Sequence, residues 1–255
     1  MRALILAAGR GSRMRALTAH QPKCLVSVAD RPLLEWQLES LRASGIHQIG
    51  VVRGYQADQV QPAYCALFEN PRWAATNMVA TLCRADAWLR SDACVVSYAD
   101  ILYHPETVTA LMESRGDIAL SYDRLWRGLW QERFSDPLSD AETFQSSPDG
   151  KLTAIGARAS SLIEVQGQYM GLLKFTPKGW AAVTQYLDSL SDSERDRLDM
   201  TGMLSALLAR KTEITTVPVD GRWCEVDSDS DLALYQSRIA RSQSWTHDWR
   251  WKEAA

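Results

Sequence analysis

The sequence is poor in residues that metal–thiolate and nucleophilic chemistry depend on, with four histidines and five cysteines among 255 residues. An odd number of cysteines with no C-x-x-C pair argues against a disulfide scaffold or a zinc knuckle, and it favours a reducing, cytoplasmic location. We find no Ser/His/Asp or Cys/His arrangement typical of covalent catalysis. His20 and His104 are interpreted as loop residues. The cysteines are Cys24, Cys65, Cys83, Cys94 and Cys224.

Long apolar runs and a strong charge of one sign are also missing. The formal net charge of −3 argues against nucleic acid or an anionic membrane as a partner. The first apolar run, residues 2–8, is shorter than the core of a signal peptide, and no later run reaches membrane-spanning length. With 46% hydrophobic residues, the chain can bury a full core as one domain, with or without a small lobe.

What the sequence does contain is a phosphate-binding pattern near its start. Residues 6–13 read Leu-Ala-Ala-Gly-Arg-Gly-Ser-Arg, directly after an apolar stretch. A glycine turn after a buried strand leaves backbone N–H groups that can approach phosphate oxygens. Two cations, Arg13 and Lys23, can then close on the same anion. The pattern is not a dinucleotide fingerprint, because Met14 replaces its third glycine, and no ordinary P-loop motif occurs.

Apolar periodicity predicts alternating strands and helices in the first half of the chain. A strand–helix–strand unit with a right-handed crossover implies a parallel sheet, with ligands beyond the carboxyl ends of its strands. The predicted strands are Arg2–Ala8, Ile46–Val52, Ala66–Phe68, Ala93–Val96 and Asp117–Tyr122. The predicted helices run from Pro32 to Gly45 and over Ala57–Tyr64, Asn77–Trp88 and Glu106–Glu113.

The character of the sequence changes after Asp123. Residues 135–151 are rich in Ser, Asp and Pro, and the short strands that follow predict a hairpin-built lobe over the cleft. We expect one domain at 1–241, with a nucleotide-binding half (1–123) and an acceptor-binding half (124–241). The tail at 242–255 carries three tryptophans, and docking or disorder are both open there. The predicted strands are Leu152–Ala157, Leu162–Gln166, Gln168–Phe175 and Glu213–Pro218, and the predicted helices are Trp180–Leu190, Met200–Leu208 and Asp231–Ile239.

The sequence resembles the nucleotidyltransferase superfamily, whose members join a nucleoside monophosphate to a phosphorylated small molecule and release pyrophosphate. The resemblance is dense over residues 1–54 and returns at Ser97–Tyr103 and Trp223–Asp231. The bacterial choline-phosphate and phosphonate cytidylyltransferases are especially similar. The resemblance implies an α/β fold with a doubly wound, mostly parallel sheet of the Rossmann-like nucleotidyltransferase type, and a small β-rich acceptor lobe.

The resemblance also implies roles for the opening loop. Ala7 to Gly11 would hold the base and sugar, Arg13 would grip the β and γ phosphates, and Lys23 would neutralise charge near the α phosphate. Asn77 lies where the family often contacts the base edge, although its place before an apolar run also predicts a helix cap. The predicted nucleotide-binding residues are Leu6, Ala7, Ala8, Gly9, Gly11, Ser12 and Asn77.

Two distant aspartates are predicted to hold Mg²⁺. Asp100 follows an apolar strand, and Asp227 precedes a helical pattern. Mg²⁺ prefers one or two carboxylates with waters and phosphate oxygens, and the matching aspartates of the resembled family bind it. Both residues could instead cap helices, and Asp229 and Asp231 compete with Asp227. The predicted catalytic residues are Arg13, Lys23, Asp100 and Asp227, of which the two aspartates are also the predicted metal ligands.

Aromatic residues and one acid are predicted to bind the acceptor. An aromatic cage with a carboxylate holds a quaternary ammonium through cation–π attraction, and the choline-type family uses such a cage. Val226 should alternate inward, so that Glu225 shares a face with the metal-binding aspartate. The predicted acceptor-binding residues are Trp130, Tyr169, Trp223 and Glu225. These aromatic residues could equally be packing residues.

Three arginines favour a different acceptor. Arg124, Arg127 and Arg133 are interleaved with tryptophans and would suit an anionic acceptor such as a phosphonate, an amino-acid phosphate or a sugar phosphate. The residues themselves leave the identity of the acceptor open.

The lack of a general base is compatible with transfer to a phosphate. An acceptor phosphate is already ionised near neutral pH, since its second pKa is about 6, so positioning and charge neutralisation suffice. The sequence therefore predicts a Mg²⁺-dependent nucleotidyltransferase, with CTP favoured through the resemblance. The alternatives are a sugar-1-phosphate nucleotidyltransferase that uses UTP, dTTP or GTP, and a non-catalytic nucleotide-binding regulatory subunit. A homodimer is compatible with each.

Overall fold

The molecule is an α/β structure built around one seven-stranded sheet. The computed structural model describes residues 1–241 and 244–251, apart from the side chains of Arg15 and Ala16. In these ranges the strands are β1 (Arg2–Ala7), β2 (Ser27–Val28), β3 (Arg31–Pro32), β4 (Ile49–Arg53), β5 (Ala66–Glu69), β6 (Cys94–Tyr98), β7 (Ile101–Tyr103), β8 (Ile118–Asp123), β9 (Glu142–Ser146), β10 (Leu152–Arg158), β11 (Gln168–Phe175), β12 (Thr215–Val219) and β13 (Trp223–Glu225). The helices are α1 (Leu33–Ala43), α2 (Met78–Leu82), α3 (Asp86–Ser91), α4 (Pro105–Glu113), α5 (Trp126–Arg133), α6 (Pro177–Asp188), α7 (Asp192–Arg197), α8 (Met200–Ala209) and α9 (Asp229–Ala240).

The large sheet has the order β12–β8–β11–β6–β1–β4–β5. Its strands pair in parallel except β11, which runs antiparallel between β6 and β8. The predicted α/β class with a mostly parallel sheet is therefore confirmed. Strands from both predicted halves of the chain share this sheet, while the division at residue 123 stays a prediction.

Each face of the sheet is covered by helices, which explains why its central strands are apolar on both sides. On one face Ile5 packs with Leu33 and Leu41 of α1. On the other face Leu4 packs in a core that includes Leu82 of α2 and Trp180 of α6. The carboxyl ends of the parallel strands β1 and β6 consequently lie side by side at one edge of the sheet, whose central strands are buried between the helices.

The predicted β-rich lobe is smaller than expected. Among the described residues it consists of the antiparallel pair β9 and β10, whereas Gln168–Phe175 joins the large sheet as β11. The register of β11 against β8 shifts between Tyr169 and Leu173, where Gly171 has a φ of +74°. This left-handed glycine lets one strand belong to the central sheet and still reach the cleft.

Three predicted elements are shorter than expected. The helix at 57–64 is only a 3₁₀ turn, Ala57–Gln59, because Pro62 disfavours helical backbone in the residue before it. The helix at 77–88 is interrupted by a 3₁₀ turn, Cys83–Ala85, between α2 and α3. The strand at 162–166 is a 3₁₀ turn, Leu162–Glu164.

Two helices, α5 and α7, and five strands, β2, β3, β7, β9 and β13, were not predicted. The signal for α7 is present in the sequence, because Ser191 and Glu194 form a capping box at its start. The signal for α5 is the helical spacing of the buried residues Trp126, Leu129 and Trp130, of which Trp130 was interpreted as an acceptor-binding aromatic residue.

Residues 244–251 dock on the domain. Trp249 is fully buried, with its ring centroid 5.9 Å from that of Trp36 on α1, and the ring centroids of Trp245 and Tyr235 of α9 lie 5.6 Å apart. The predicted tail thus packs in its described part, while positions 242–243, at the predicted domain boundary, and 252–255 lie outside the described residues.

All five cysteines are free thiols, as predicted. Within the described ranges, the helices are all too short or too polar to cross a membrane.

Candidate active site

The opening loop follows β1 at the edge of the sheet. Gly11 has a φ of +72°, and a Cβ at this position would lie 2.7–2.9 Å from three side-chain carbons of Lys23. The hydroxyl of Thr18 donates to the carbonyl of Gly11 at 2.9 Å. Glycine at position 11 is therefore required so that Lys23 can pass directly beneath the loop.

A cavity of about 280 Å³ lies over this loop. Its lining includes all seven predicted nucleotide-binding residues, and the side chain of Asn77 also caps α2 by accepting from the N–H of Met78 at 2.8 Å. That these residues bind a nucleotide stays a prediction. The lining also contains residues to which the sequence analysis gave no binding role, namely Cys24, Trp73, Thr81, Tyr98 and Ala99.

The pairing of two short strands brings the predicted aspartates together. Asp100 lies in the turn between β6 and β7, and β7 pairs with β13 in an antiparallel register that sets Ile101 opposite Glu225. The N–H of Val226 then donates to the carbonyl of Asp100 at 2.8 Å. Asp227 is consequently held beside Asp100 at the carboxyl edge of the large sheet.

Lys23 bridges the two aspartates. Its Nζ lies 2.8 Å from Oδ2 of Asp100 and 2.6 Å from Oδ1 of Asp227, and Arg13 Nη1 lies 3.0 Å from Oδ2 of Asp227. Burial alone would lower the pKa of Lys23, but the charges of Asp100 and Asp227 outweigh it and raise that pKa. Burial would raise the pKa of Asp227, yet Lys23 and then Arg13 hold it below its usual value. The four predicted catalytic residues therefore form one contiguous charged cluster.

The cluster contains the oxygen donors that a magnesium ion prefers. Asp100, Glu225 and Asp227 each offer a carboxylate oxygen within 4.8 Å of the others. Oδ1 of Asp100 is buried and has no hydrogen-bond partner among the described residues. Such an orphaned oxygen fits an ion at this place.

The competing acids are engaged elsewhere. Asp231 belongs to the capping box of α9 and pairs with Arg133, whose Nε lies 2.9 Å from Oδ1 of Asp231. Asp229 is exposed in the first turn of that helix. Val226 is fully buried, as the predicted alternation requires, and Glu225 and Asp227 line the same cavity.

A second cavity, of about 340 Å³, adjoins the first on the other side of the cluster. The two cavities share Arg13, Met78 and Tyr98 in their linings. Of the predicted acceptor-binding residues, Tyr169, Trp223 and Glu225 line the second cavity, and their binding of an acceptor stays a prediction. Its wall also contains three acids that the sequence reasoning missed, Asp140, Glu142 and Asp199. Their scattered positions carried no signal for a common site.

Trp130 does not line this cavity, contrary to its predicted place at the acceptor. Its side chain is fully buried in α5, and its Nε1 donates to Oδ2 of Asp140 at 3.1 Å. The guanidinium carbon of Arg133 lies 4.7 Å from its ring centroid, and Arg133 also pairs with Glu225 at 3.0 Å. The cation that sits against this aromatic ring is thus the protein's own arginine.

Burial and the nearby charge of Asp227 raise the pKa of Glu225 to about 8, although Arg133 acts in the opposite direction.

The other two arginines proposed for an anionic acceptor are exposed. Arg124 makes a two-pronged pair with Asp220, at 2.8 Å and 2.6 Å, and Arg127 is outside both cavity linings.

The fold and this site are those of a nucleotidyltransferase of the α/β type. The site lies at the edge of a parallel sheet and combines a glycine turn with two cations and two aspartates. A sequence profile of the MobA-like NTP transferase domain matches residues 3–147. The chain belongs to this family, and the predicted enzyme class is confirmed.

Three known proteins are similar to most of this chain. A CTP:phosphoglutamine cytidylyltransferase from Campylobacter jejuni subsp. jejuni is 35% identical over 250 residues, covering 92% of this chain and 98% of that protein. A 2-aminoethylphosphonate cytidylyltransferase from Lancefieldella rimae is 25% identical over 240 residues, covering 91% of each. The structure of a CTP:phosphocholine cytidylyltransferase from Streptococcus pneumoniae superposes with a TM-score of 0.69 at 20% identity, covering 93% of this chain and 98% of that one. The last match supports the fold.

Proposed function

We propose that this protein transfers CMP from CTP to a phosphorylated small molecule and releases pyrophosphate. The observation that carries the proposal is the cluster of Arg13, Lys23, Asp100 and Asp227 at the junction of two cavities. The preference for CTP rests on the two cytidylyltransferases that are similar over more than nine-tenths of this chain.

The chain's own residues position and neutralise the reacting phosphates. Arg13 lies in the linings of both cavities, so its guanidinium can contact the triphosphate and the acceptor phosphate. Lys23 supplies a buried positive charge beneath the glycine loop, where negative charge develops in the transition state. No proton has to be removed from an ionised acceptor phosphate, so in-line positioning is the main task.

A magnesium ion fits the same cluster. Asp100 and Asp227 would hold it, with Glu225 close by. When bound, the ion polarises phosphate oxygens and neutralises their charge. The buried and unpartnered Oδ1 of Asp100 supports this role.

The acceptor is proposed to carry an amino group in addition to its phosphate, as an amino-acid phosphate does. Asp140, Glu142 and Asp199 put negative charge on the wall of the second cavity, where an ammonium group would be stabilised. A quaternary ammonium fits less well, since Arg133 already occupies the face of Trp130. The choline-phosphate expectation is accordingly replaced here by a phosphoglutamine-like acceptor.

A pyrophosphate-release assay tests this function. We expect turnover with CTP, Mg²⁺ and phosphoglutamine or a similar amino-acid phosphate, and at least a hundredfold less turnover with UTP, dTTP or GTP. Asp100→Asn should abolish this turnover, whereas Asp229→Asn, an exposed matched control on α9, should retain it. Preference for a sugar 1-phosphate with UTP or dTTP would replace the proposal with the sugar nucleotidyltransferase. Nucleotide binding without turnover on any acceptor would favour the regulatory subunit.

A further inference from the structure

The carboxylate oxygens of Asp100 and Asp227 are largely occupied by the protein's own cations. Lys23 contacts Oδ2 of Asp100 and Oδ1 of Asp227, and Arg13 contacts Oδ2 of Asp227, from which Nη2 of the buried Arg133 lies 3.9 Å away. Only Oδ1 of Asp100 has no partner among the described residues. Because both oxygens of Asp227 are engaged, an ion that binds Asp227 must compete with a cationic side chain.

Lys23 is the strongest of these three competitors, because it alone contacts both aspartates, and the contact of Arg133 with Asp227 is long at 3.9 Å. Its side chain is only 10% exposed and contacts both acids, whereas the side chain of Arg13 is 67% exposed and contacts one. Water and salt weaken an ion pair near the surface much more than they weaken a buried, charge-assisted contact. The backbone of Gly11 also packs closely against the aliphatic part of the Lys23 side chain, which limits the positions that its ammonium group can take.

We propose that Lys23 is a built-in competitor of the divalent ion, holding Asp100 and Asp227 together in the free enzyme and yielding them when the nucleotide–metal complex arrives. Lys23 lines the nucleotide cavity, so a triphosphate there offers the ammonium group new anionic partners. Metal and nucleotide should therefore bind with positive coupling, since each relieves a contact that opposes the other. This inference rests on the proposed function, because it requires Asp100 and Asp227 to bind the ion.

The arrangement has a consequence opposite to that of an ordinary active-site lysine. If Lys23 served only the phosphates, its removal would leave metal affinity in the absence of nucleotide unchanged. If it competes with the ion, its removal strengthens that affinity. Removal also leaves neighbouring carboxylates uncompensated, so the metal-free variant should be less stable than the wild type.

The test is a titration of the nucleotide-free protein with Mn²⁺, in which free Mn²⁺ is measured by electron paramagnetic resonance. Lys23→Met and Lys23→Gln are each expected to bind Mn²⁺ about tenfold to a hundredfold more tightly than the wild type, the equivalent of one charge-assisted contact. Arg13→Gln should change the affinity less than either. Lys178→Gln is the matched control, because Lys178 is an exposed lysine that also pairs with an aspartate, Asp117.

Thermal melting provides a second readout that does not depend on binding fits. We expect Mg²⁺ to raise the melting temperature of the Lys23 variants more than that of the wild type. Equal or weaker Mn²⁺ affinity in folded Lys23 variants, with equal thermal shifts, would overturn the inference.

Aspartate variants separate this failure from a failure of the proposed function. In the Lys23→Met background, Asp100→Asn and Asp227→Asn should abolish the gained Mn²⁺ binding. If neither aspartate substitution changes the affinity for Mn²⁺, the ion binds elsewhere, and both the proposed metal site and this inference are wrong.

Discussion

At the residue scale, the acids that line the second cavity would favour a positively charged group beside the phosphate of the proposed acceptor. Burial, followed by the charges of Asp199 and Asp140, raises the pKa of Glu142. One oxygen of Asp199 caps α8 and one of Asp140 accepts from Trp130, so neither acid is fully free. The negative charge of Glu142 is opposed by burial and by the two neighbouring aspartates and is only partly relieved by Thr201, so an ammonium group would stabilise this side chain directly.

We expect Glu142→Gln to raise the KM of an ammonium-bearing acceptor about tenfold and to leave the KM for CTP unchanged. Since the pKa of Glu142 is raised, lowering the pH protonates it sooner than an ordinary glutamate, and the wild-type acceptor KM should rise as the pH falls. The variant should show a smaller rise. Steady-state kinetics between about pH 8 and pH 5.5 measure both effects. The acceptor's own phosphate, with a pKa of about 6, titrates identically in both proteins.

Glu113→Gln is the control for this experiment, because Glu113 is exposed at the end of α4 and outside the lining of the second cavity. An unchanged acceptor KM in Glu142→Gln would remove Glu142 from the acceptor site.

At the scale of elements, helix α1 holds the turn that carries Asp100. The buried side chain of Gln37 donates from Nε2 to the carbonyl of Tyr98 at 2.7 Å and to that of Ile101 at 2.6 Å. These two carbonyls flank Asp100 between β6 and β7. A polar side chain in the core thus fixes the position of a charged one at the surface of the cleft.

Gln37→Met is expected to lower the free energy of unfolding by about 1–3 kcal/mol, because two buried carbonyls lose their donor. It should also lower kcat per folded molecule, since the Asp100 turn is released. Urea denaturation and active-site kinetics measure the two effects separately. Gln185→Met, on the exposed face of α6, should change neither. If kcat stays at the wild-type value while stability falls, Gln37 contributes only to folding.

At the scale of the whole molecule, one buried carboxylate connects three distant segments. Asp123, at the end of β8, accepts from the N–H of Leu125 at 2.9 Å and from that of Gly221 at 2.8 Å. Its other oxygen lies 2.9 Å from Nε2 of His247 in the C-terminal segment. The segment that begins at Gly221 leads through β13 to Glu225 and Asp227, so the C-terminal segment helps to position the candidate site.

His247→Ala should destabilise the protein by about 1–3 kcal/mol, because it leaves Oδ2 of the fully buried Asp123 without its side-chain hydrogen-bond partner. The double variant with Asp123→Asn should recover part of this loss, since the uncompensated charge is then absent. Urea unfolding of the single and double variants measures the coupling. His20→Ala, in an exposed loop, should leave stability unchanged. Additive losses in the double variant would contradict the coupling.

Much of the fold follows from local patterns in the sequence. The apolar stretches that become β1, β4, β6 and β8 are readable because strands buried on both faces must be apolar throughout. Helix α5 was missed because its tryptophans were interpreted by their chemistry and not by their spacing. The pairing of β11 with β6 in the central sheet was missed because strand pairing depends on tertiary packing, which cannot be inferred from the local sequence pattern.

By itself, the sequence determined the family, the glycine loop and the identity of the four charged residues, because these depend on residue type and short spacing. Only the tertiary structure decided which residues share a cavity. The pairing of β7 with β13 puts Asp100 beside Asp227, and it depends on contacts between residues more than one hundred positions apart. The same long-range packing buries Trp130 beside Trp223, with 6.1 Å between their ring centroids, and brings Asp199 to the cavity wall that Asp140 and Glu142 also line. Such contacts form only when segments distant in the sequence pack together, so they cannot be predicted from local patterns in the chain.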